Sequence, residues 1–424
     1  MQFLWLIPLL LSMALTLQAQ SAPAGAITIE QAVQESIEKN LSLLAERYNL
    51  NIAEARIITA KLRPNPVFSF GADYQDWLGA GFTPIKGIGP AEVNFRTDFI
   101  LEAPGKRQSR IEVAKGNHEV ARLQLLNTTR LLILDVQSAC VDVLSAKDNL
   151  ALAQKNLKVF NELVSVNTDR VRAGDLAQVE LVRSRVAALQ YHNAVMQAES
   201  RLRIARRRLQ TLVGRKTETL TVDVAGELRR DGTPLGVEEV RRQALNLRPD
   251  LQAMTRDQAR SLAEIRSQQA QGKVDYTIGT QVHRQYGDGL NRAGNSLGVF
   301  FSMPLPLFNR NQGEIARSLQ EQQQILSRIQ ALQADIVQNL DSAYQQYQTA
   351  QQLLENIEKN MLQQASAVRE TTEYSYRRGE ASLIELLDAQ RAFNDTMQSY
   401  NDARAEYARS LYLMDSISGK GVNP

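Results

Sequence analysis

The sequence predicts a mainly α-helical chain that also contains short membrane β-strands, arranged as two copies of one pattern. Three observations predict this fold class. Ala, Leu, Gln, Glu and Arg dominate long stretches. Apolar residues in these stretches follow the alternating three- and four-residue spacing of a coiled coil. Short segments between them alternate strictly between polar and apolar residues, and each copy has the order helix, strand, strand, very long helix, tight turn, helix.

The composition excludes several kinds of function. Charged residues make up 22% of the 424 residues and the formal net charge is +3, so the summed field offers no general attraction to nucleic acid. A single cysteine, Cys140, excludes an intrachain disulfide framework and a thiolate metal cluster. The histidines His118, His192 and His283 have no ligand-like spacing, so we expect neither a metal site nor a cofactor.

Catalytic and nucleic-acid motifs are also missing from the sequence. The arginine-rich run at 201–208 would wrap several faces of a helix and lacks interleaved aromatic residues, which favours a solvated or protein-facing surface. There is no nucleophile motif, phosphate loop or paired-acid signature. We therefore do not expect an enzyme.

The amino-terminal residues have the pattern of an export signal. Residues 3–17 are almost entirely apolar and lead to Leu17-Gln18-Ala19, which resembles a signal-peptidase site. We predict a signal peptide over 1–19 and a mature chain over 20–424. No later stretch offers the roughly 18 consecutive apolar residues of a membrane-spanning helix. Insertion into a membrane would therefore have to use β-strands.

The two copies are related by a nearly constant offset. Gly279 follows Gly71 by 208 residues, and the same offset separates the helix that begins at 237 from the one that begins at 29. Gly379 follows Gly174 by 205 residues, so a net deletion of three residues lies between. A repeat of this length indicates an internal duplication. We predict one protomer with repeats over about 29–214 and 237–419.

Four long helices are predicted, over about 104–171, 177–213, 310–377 and 382–416. The longest would extend for about 100 Å at 1.5 Å per residue, which no globular core matches. Gly174 and Gly379 can adopt the left-handed conformation that ends a helix. Each tight turn should therefore fold the next helix back antiparallel to the one before it.

Membrane strands are predicted over about 66–76, 92–102, 273–284 and 295–304, where one face is apolar and the other polar. A soluble, half-buried sheet would show the same alternation, but the strand length and the export signal favour a membrane sheet. Four strands cannot close a barrel, and open edges are not viable in hydrocarbon. Several chains must therefore pool their strands, and three chains would leave a pore.

Two sequence features resemble a known family. The first is the repeated motif Gly-acidic-x-small-x-aliphatic-Glu-Leu, which begins at Gly174 and at Gly379, and the second is the segment at 303–313, MPLPLFNRNQG. Together with the duplicated plan, they look like outer-membrane efflux proteins of the TolC type. The segment at 303–313 favours the subgroup that exports heavy metals and other cations.

The resemblance implies a homotrimer with a shared β-barrel in the lipid of the outer membrane, continued by a long α-helical barrel in the periplasm. It implies a passive exit channel of a tripartite efflux system that works with a periplasmic adaptor and an inner-membrane pump. Two alternatives are a soluble periplasmic coiled-coil adaptor or scaffold, and a protein secreted through such a channel.

The resemblance also transfers functional positions to this chain. The gate and selectivity positions fall on Glu180, Tyr376, Glu385 and Asp388, and the turns that would dock the adaptor fall on Gly174, Asp175, Gly379 and Glu380. Rings of carboxylates in a trimer would favour cations. The alternative for Glu180 and Glu385 is that they only cap the first turn of a helix, where the helix dipole favours acids. An arginine that latches the second turn in some family members is replaced by Ala381.

Overall fold

The computed structural model describes residues 26–75, 91–216, 218, 222–230, 236–287 and 293–419. The predicted signal peptide over 1–19 lies outside these residues, as does the end of the first predicted strand at 76. The long helical stretches form two hairpins. The strands that follow the shorter helices in sequence form a small sheet.

Within the described residues, the two copies contain corresponding elements in the same order. The first copy contains β1 (Ala26–Ile27), α1 (Ile29–Lys39), α2 (Leu41–Lys61), β2 (Val67–Asp73), β3 (Glu92–Leu101), α3 (Lys106–Ala173) and α4 (Gln178–Leu212). The second contains β4 (Asp223–Val224), α5 (Val237–Leu247), α6 (Pro249–Gln271), β5 (Tyr276–Gln285), β6 (Gly294–Ser302), α7 (Gln312–Asn356), α8 (Leu362–Arg378) and α9 (Leu383–Ser418). A π-helical turn at Ile357–Met361 joins α7 to α8.

Two helices, not one, precede the strands in each copy. In the first copy the chain is extended at Asn40, whose side chain accepts a hydrogen bond from the Leu43 N–H at 3.0 Å and caps α2. In the second copy Pro249 is the first residue of α6 and holds Arg248 extended. The first residues of α2 and α6 are 208 positions apart, so the duplication preserved the break.

The strands form one antiparallel sheet in the order β2-β3-β5-β6, in which β2 and β6 are the edges. Strand β5 begins at Tyr276, three residues later than predicted. The reason is that the Asp275 carboxylate accepts a hydrogen bond from the Ala103 N–H at 2.7 Å and pairs with Lys106 at 2.9 Å, which takes it out of the ladder. A second, parallel pair of strands joins β1 to β4.

One face of the four-stranded sheet is apolar and exposed in the protomer. Leu297 and Val299 are each 74% exposed, and Phe68 is 66% exposed. The opposite face is polar. It contains Asp73, Glu92, Asn94, Arg96, Asp98, Gln281 and His283. Phe300 is an aromatic residue on this polar face, where the Arg96 guanidinium lies 4.8 Å from its ring centre.

The helices lie side by side in two tiers. Near the sheet the order is α2, α3, α6, α7, and toward the hairpin turns it is α4, α3, α9, α8. Two large buried clusters lie in the helical part: one surrounds Val136 and Leu209 of the first repeat and also includes residues of α9, and the other surrounds Leu340 and Tyr347 of the second repeat. Among the described residues, no helix has the length and apolarity needed to cross a membrane.

The arginine-rich run at 201–208 pairs with acidic residues of the same chain. Arg206 lies 3.0 Å from Asp223, and Arg208 lies 3.2 Å from Asp142. These contacts hold the end of α4 against α3 and against the segment that joins the two repeats.

Candidate functional site

The two hairpin turns have the same backbone geometry. Gly174 and Gly379 have φ angles of 86° and 79°. The Asp175 N–H donates to the Arg170 carbonyl at 2.8 Å, and the Glu380 N–H donates to the Ser375 carbonyl at 2.9 Å. The Gly174 N–H also donates to the Val171 carbonyl and the Gly379 N–H to the Tyr376 carbonyl, so each turn is a Schellman motif. The sequence motif thus produces two equivalent tips at the end of the molecule opposite the sheet.

The tips present charge to their surroundings. Asp175 is exposed, and the Glu380 side chain is 61% exposed, with Arg378 4.0 Å away. In the described part of the chain, no heavy atom beyond the neighbouring residues lies within 4 Å of where a Gly174 Cβ would stand, and at Gly379 Nη2 of Arg170 lies 3.9 Å away. The first turn is therefore open, and the second is approached by the Arg170 side chain.

Glu385 caps α9. Its carboxylate accepts hydrogen bonds from the Ser382 N–H at 2.7 Å and from the Ser382 hydroxyl at 3.0 Å, while its own N–H donates to that hydroxyl. These bonds from the Ser382 backbone and side chain lower the pKa of Glu385. Asp388, one turn further on, is exposed and lies 3.7 Å from Arg391. Two carboxylates therefore line one exposed face of α9.

Glu180 occupies the equivalent position of α4 and behaves differently. The residue three positions earlier is Ala177, which has no hydroxyl, so no capping box forms. Oε1 of Glu180 instead accepts a hydrogen bond from Arg183 at 3.1 Å. Its Oε2 is buried and has no hydrogen-bond partner among the residues that the structure describes. Glu385 therefore takes part in a capping box, whereas Glu180 lies in the first turn of α4 without one.

Tyr376 lies inside the protomer, with 4% of its surface exposed. Its hydroxyl donates to Oδ1 of Asn167 on α3 at 2.8 Å, and the guanidinium of Arg170 lies 5.8 Å from its ring centre. Burial raises the pKa of Tyr376, and the nearby Glu180 charge adds to this rise. The side chain therefore connects the two hairpins and does not share the exposed face of Glu385 and Asp388.

Sequence reasoning missed Asn167 and Arg170 as members of this site. Asn167 continues the three- and four-residue spacing of the α3 seam after Phe160 and Val164, so a polar residue at an apolar position was the available signal. Its partner lies 209 residues away in sequence, which no local pattern reveals.

The structure also bears on metal and thiol chemistry. Within the described ranges, no group of three or more His, Cys, Asp or Glu side chains is placed to hold a metal ion. Cys140 is buried in the first core cluster, and burial raises the pKa of its thiol to about 12. A thiol with this pKa is unreactive at neutral pH.

Comparisons with known proteins agree with this geometry. The chain is 23% identical to the cobalt-zinc-cadmium resistance protein CzcC of Cupriavidus metallidurans over 94% of this chain and 91% of that protein. Its fold matches the outer-membrane channel OprN with a TM-score of 0.76, at 19% identity, over 93% of this chain and 91% of that one. It also matches the MtrE channel of Neisseria gonorrhoeae with a TM-score of 0.75, at 18% identity, over 93% and 89%.

The family model described as outer membrane efflux protein matches residues 32–215 and 240–420, one stretch in each repeat. This match confirms the predicted efflux channel, its place in the outer membrane and its extension into the periplasm. The duplicated fold with its β-domain and long helices is confirmed as well. The chain belongs to the outer membrane efflux protein family.

Proposed function

We propose that this chain forms a homotrimer that acts as the passive exit duct of a tripartite efflux system. The trimer receives its cargo from an inner-membrane pump through a periplasmic adaptor, and the pump supplies the energy. The duct itself carries out no chemical reaction. Family membership and the sheet geometry support this proposal.

The single observation that carries the proposal is the four-stranded sheet with an exposed apolar face and two open edges. Large apolar side chains such as Phe68 and Val299 would be unfavourable in water, and they suit the acyl chains of outer-membrane lipid. Within the described residues, β2 and β6 each pair on one side only. Their free backbone groups need partners in lipid, which the β6 and β2 edges of neighbouring copies would supply.

The helical tiers support the same assembly. Strand β2 and helices α2 and α4 lie at one edge of the protomer, while β6, α7 and α8 lie at the other. Exposed apolar side chains mark both edges: Leu41, Tyr48 and Ile52 on α2, Val182, Val186 and Leu189 on α4, Leu319 on α7 and Val368 on α8. A head-to-tail ring would cover both edges at every level.

The gate is proposed at the hairpin tips. Glu385 and Asp388 on α9, with Glu180 on α4, would form carboxylate rings around the threefold axis, and Tyr376 would hold the hairpins together. Gly174, Asp175, Gly379 and Glu380 would contact the adaptor. Carboxylate rings concentrate cations, which suits a metal-cation cargo such as the name of the relative CzcC indicates.

The conducting function is tested in planar bilayers. In the outer-membrane fraction the protein should resist alkaline extraction. The purified protein should form a heat-modifiable oligomer that conducts with a preference for cations. The double variant Glu385→Gln and Asp388→Asn should lower that preference several-fold, because Gln retains the capping box while both charges are removed. Asp169→Asn is the matched control, since Asp169 is similarly exposed beside an arginine three residues away.

The pH dependence follows from Glu385. Because its pKa is lowered, the carboxylate stays ionised through the range in which an ordinary glutamate takes up a proton. The cation preference of the wild type should therefore persist at pH values at which an ordinary glutamate is already protonated, and decline only at still lower pH. A preference unchanged by the double variant would place these carboxylates outside the conduction path. Release of the protein by alkali as a soluble species would favour the adaptor alternative.

The cargo is tested in cells. A strain that lacks this protein should become sensitive to divalent metal cations and regain resistance when the gene is restored. Sensitivity to organic drugs alone would contradict a metal cargo while leaving the duct function intact.

A further inference from the structure

The apolar face of the four-stranded sheet carries one charged residue in the strands that the structure describes. Residues directly opposite each other on neighbouring strands point to the same side, so the strand register assigns each side chain to a face. Phe68, Val282 and Val299 lie on the apolar face. Arg284 of β5 lies on the same face, two residues after Val282. A lone guanidinium on a surface that meets lipid requires a physical explanation.

Arg284 lies at the end of the sheet that points away from the helices. Strand β5 begins at Tyr276, next to α6, and Arg284 is eight residues further on, roughly 26 Å along the strand. With the usual tilt of about 40°, this length covers about 20 Å of the bilayer, close to the height of the apolar band of a membrane barrel. Because the helices extend into the periplasm, Arg284 lies where the acyl chains of the outer leaflet meet their head groups.

The row of residues that contains Arg284 is neutral and largely small. The row crosses the whole sheet as Ala72, Val93, Arg284 and Asn295. Arg284 and Asn295 are both exposed. The Arg284 guanidinium lies 5.2 Å from the centre of the Tyr286 ring, and this cation–π contact holds it at the border of the sheet. The small side chains of Ala72 and Val93 leave room beside it.

The carboxylates of the sheet do not neutralise Arg284. The described strands contain three of them, at Asp73, Glu92 and Asp98, and the register places all three on the polar face. The other arginine of these strands, Arg96, is also on the polar face and pairs with Asp98 at 2.9 Å. The charge of Arg284 therefore has to be balanced from the surroundings of the apolar face.

The groups around Arg284 suit a phosphate. An arginine on the lipid face of a barrel is costly in the hydrocarbon, and the cost falls toward the head groups. The guanidinium, the Asn295 amide and the Tyr286 hydroxyl can all donate hydrogen bonds. A planar guanidinium binds two phosphate oxygens at once through parallel N–H groups. In the outer leaflet of an outer membrane, phosphate is carried by the head group of a glycolipid, lipopolysaccharide.

We propose that Arg284, with Asn295 and Tyr286, binds the phosphorylated head group of an outer-leaflet glycolipid, whose acyl chains lie along the apolar face below. The row from Ala72 to Asn295 is the floor of this site, and Arg284 forms the ion pair with the phosphate. The proposal goes beyond the duct function, because it requires only that the sheet lies in the outer membrane and not that anything passes through it.

Titration of lipopolysaccharide onto the purified oligomer tests the site. The full-length protein is freed of lipid in mild detergent, and the bound glycolipid is counted by native mass spectrometry. Arg284→Gln should weaken binding about tenfold, because the charged hydrogen bonds to phosphate are lost. Arg284→Lys keeps the charge without the paired N–H groups and should lie between the two. Arg63→Gln is the matched control, since Arg63 is an exposed arginine just before β2, at the opposite end of the sheet.

The source of the phosphate is tested in vesicles. The oligomer is placed in phosphatidylethanolamine vesicles that contain either diphosphoryl lipid A or lipid A from which both phosphates have been removed. Only the phosphorylated form should raise the temperature at which the wild-type oligomer dissociates, and Arg284→Gln should abolish that increase. Inorganic phosphate should not displace lipopolysaccharide, because it lacks the acyl chains that cover the apolar face.

Two results would overturn the proposal. If Arg284→Gln binds lipopolysaccharide as tightly as Arg63→Gln does, Arg284 is not the phosphate partner. If inorganic phosphate displaces the glycolipid completely, the site takes free anions and not a lipid. Conductance in planar bilayers should be the same for Arg284→Gln and the wild type, because Arg284 faces away from the proposed lumen, and this shows that the variant is folded. A wild-type protein that binds lipopolysaccharide but does not conduct would contradict the duct and leave the lipid site in place.

Discussion

At the scale of single residues, the contacts of Tyr376 change the role that its sequence position indicated. Its position suggested a gate residue. The structure buries it and gives it a hydrogen bond to Asn167, so its contribution to the gate would be to hold the two hairpins of one protomer together. Glu385 and Asp388 remain exposed, and the carboxylate rings proposed at the tips depend on them.

Tyr376→Phe should loosen this contact. The substitution keeps the ring and leaves the buried Asn167 amide without its partner, which costs about 1–3 kcal/mol. We expect a higher resting conductance in planar bilayers and a lower unfolding temperature. Tyr374→Phe is the control, because Tyr374 is 59% exposed and bonds only to Arg378 of its own helix among the described contacts. Equal effects of the two variants would show that the Tyr376 hydroxyl has no special role.

At the scale of elements, the glycines of the hairpin turns determine where the helices end. Gly379 has a φ of 79°, where a side chain is strained, and Gly313 lies in the first turn of α7 without such strain. Gly379→Ala should therefore lower stability by about 1–2 kcal/mol. Gly313→Ala should raise it by about 0.5–1 kcal/mol, because alanine favours the helix. Denaturant unfolding in detergent measures both, and a stabilising Gly379→Ala would contradict the Schellman geometry.

Elements with local signals could be predicted from the sequence. The helix ends at Gly174 and Gly379, the capping pair Ser382 and Glu385, and the alternation of the strands each depend on residues close in sequence. The break before Pro249 had a signal as well, since proline restricts the residue before it.

Other elements depend on contacts across the two repeats, which no local pattern encodes. The π-helical turn lies in an ordinary helical sequence, IEKNM, and its Glu358 is held by Arg230, 128 residues earlier. The polar layers between α3 and α9 are similar, because Asn149 meets Asn401 and Asn156 meets Gln390 across more than 230 residues. Only the folded chain brings these partners together.

At the scale of the whole molecule, the duplication explains why one protomer has matching edges. Each repeat supplies one strand pair and one long hairpin. The first repeat therefore forms one edge of the protomer, and the second repeat forms the opposite edge. Copies placed head to tail would continue the same order of elements around a ring. Each copy contributes four strands to the ring. Because a barrel of about eight strands is filled by side chains, the proposed trimer is the smallest ring of this chain that leaves a wide pore.

Disulfide cross-linking between the two sheet edges tests this account most directly. In a Cys140→Ser background, single cysteines at 68 or 70 on β2 are combined with single cysteines at 297, 299 or 301 on β6, and the outer-membrane fraction is oxidised. The account predicts dimer and trimer bands for at least one combination, because β2 of one copy pairs with β6 of the next. A folded protein that remains monomeric for every combination and stays in solution without detergent would contradict it.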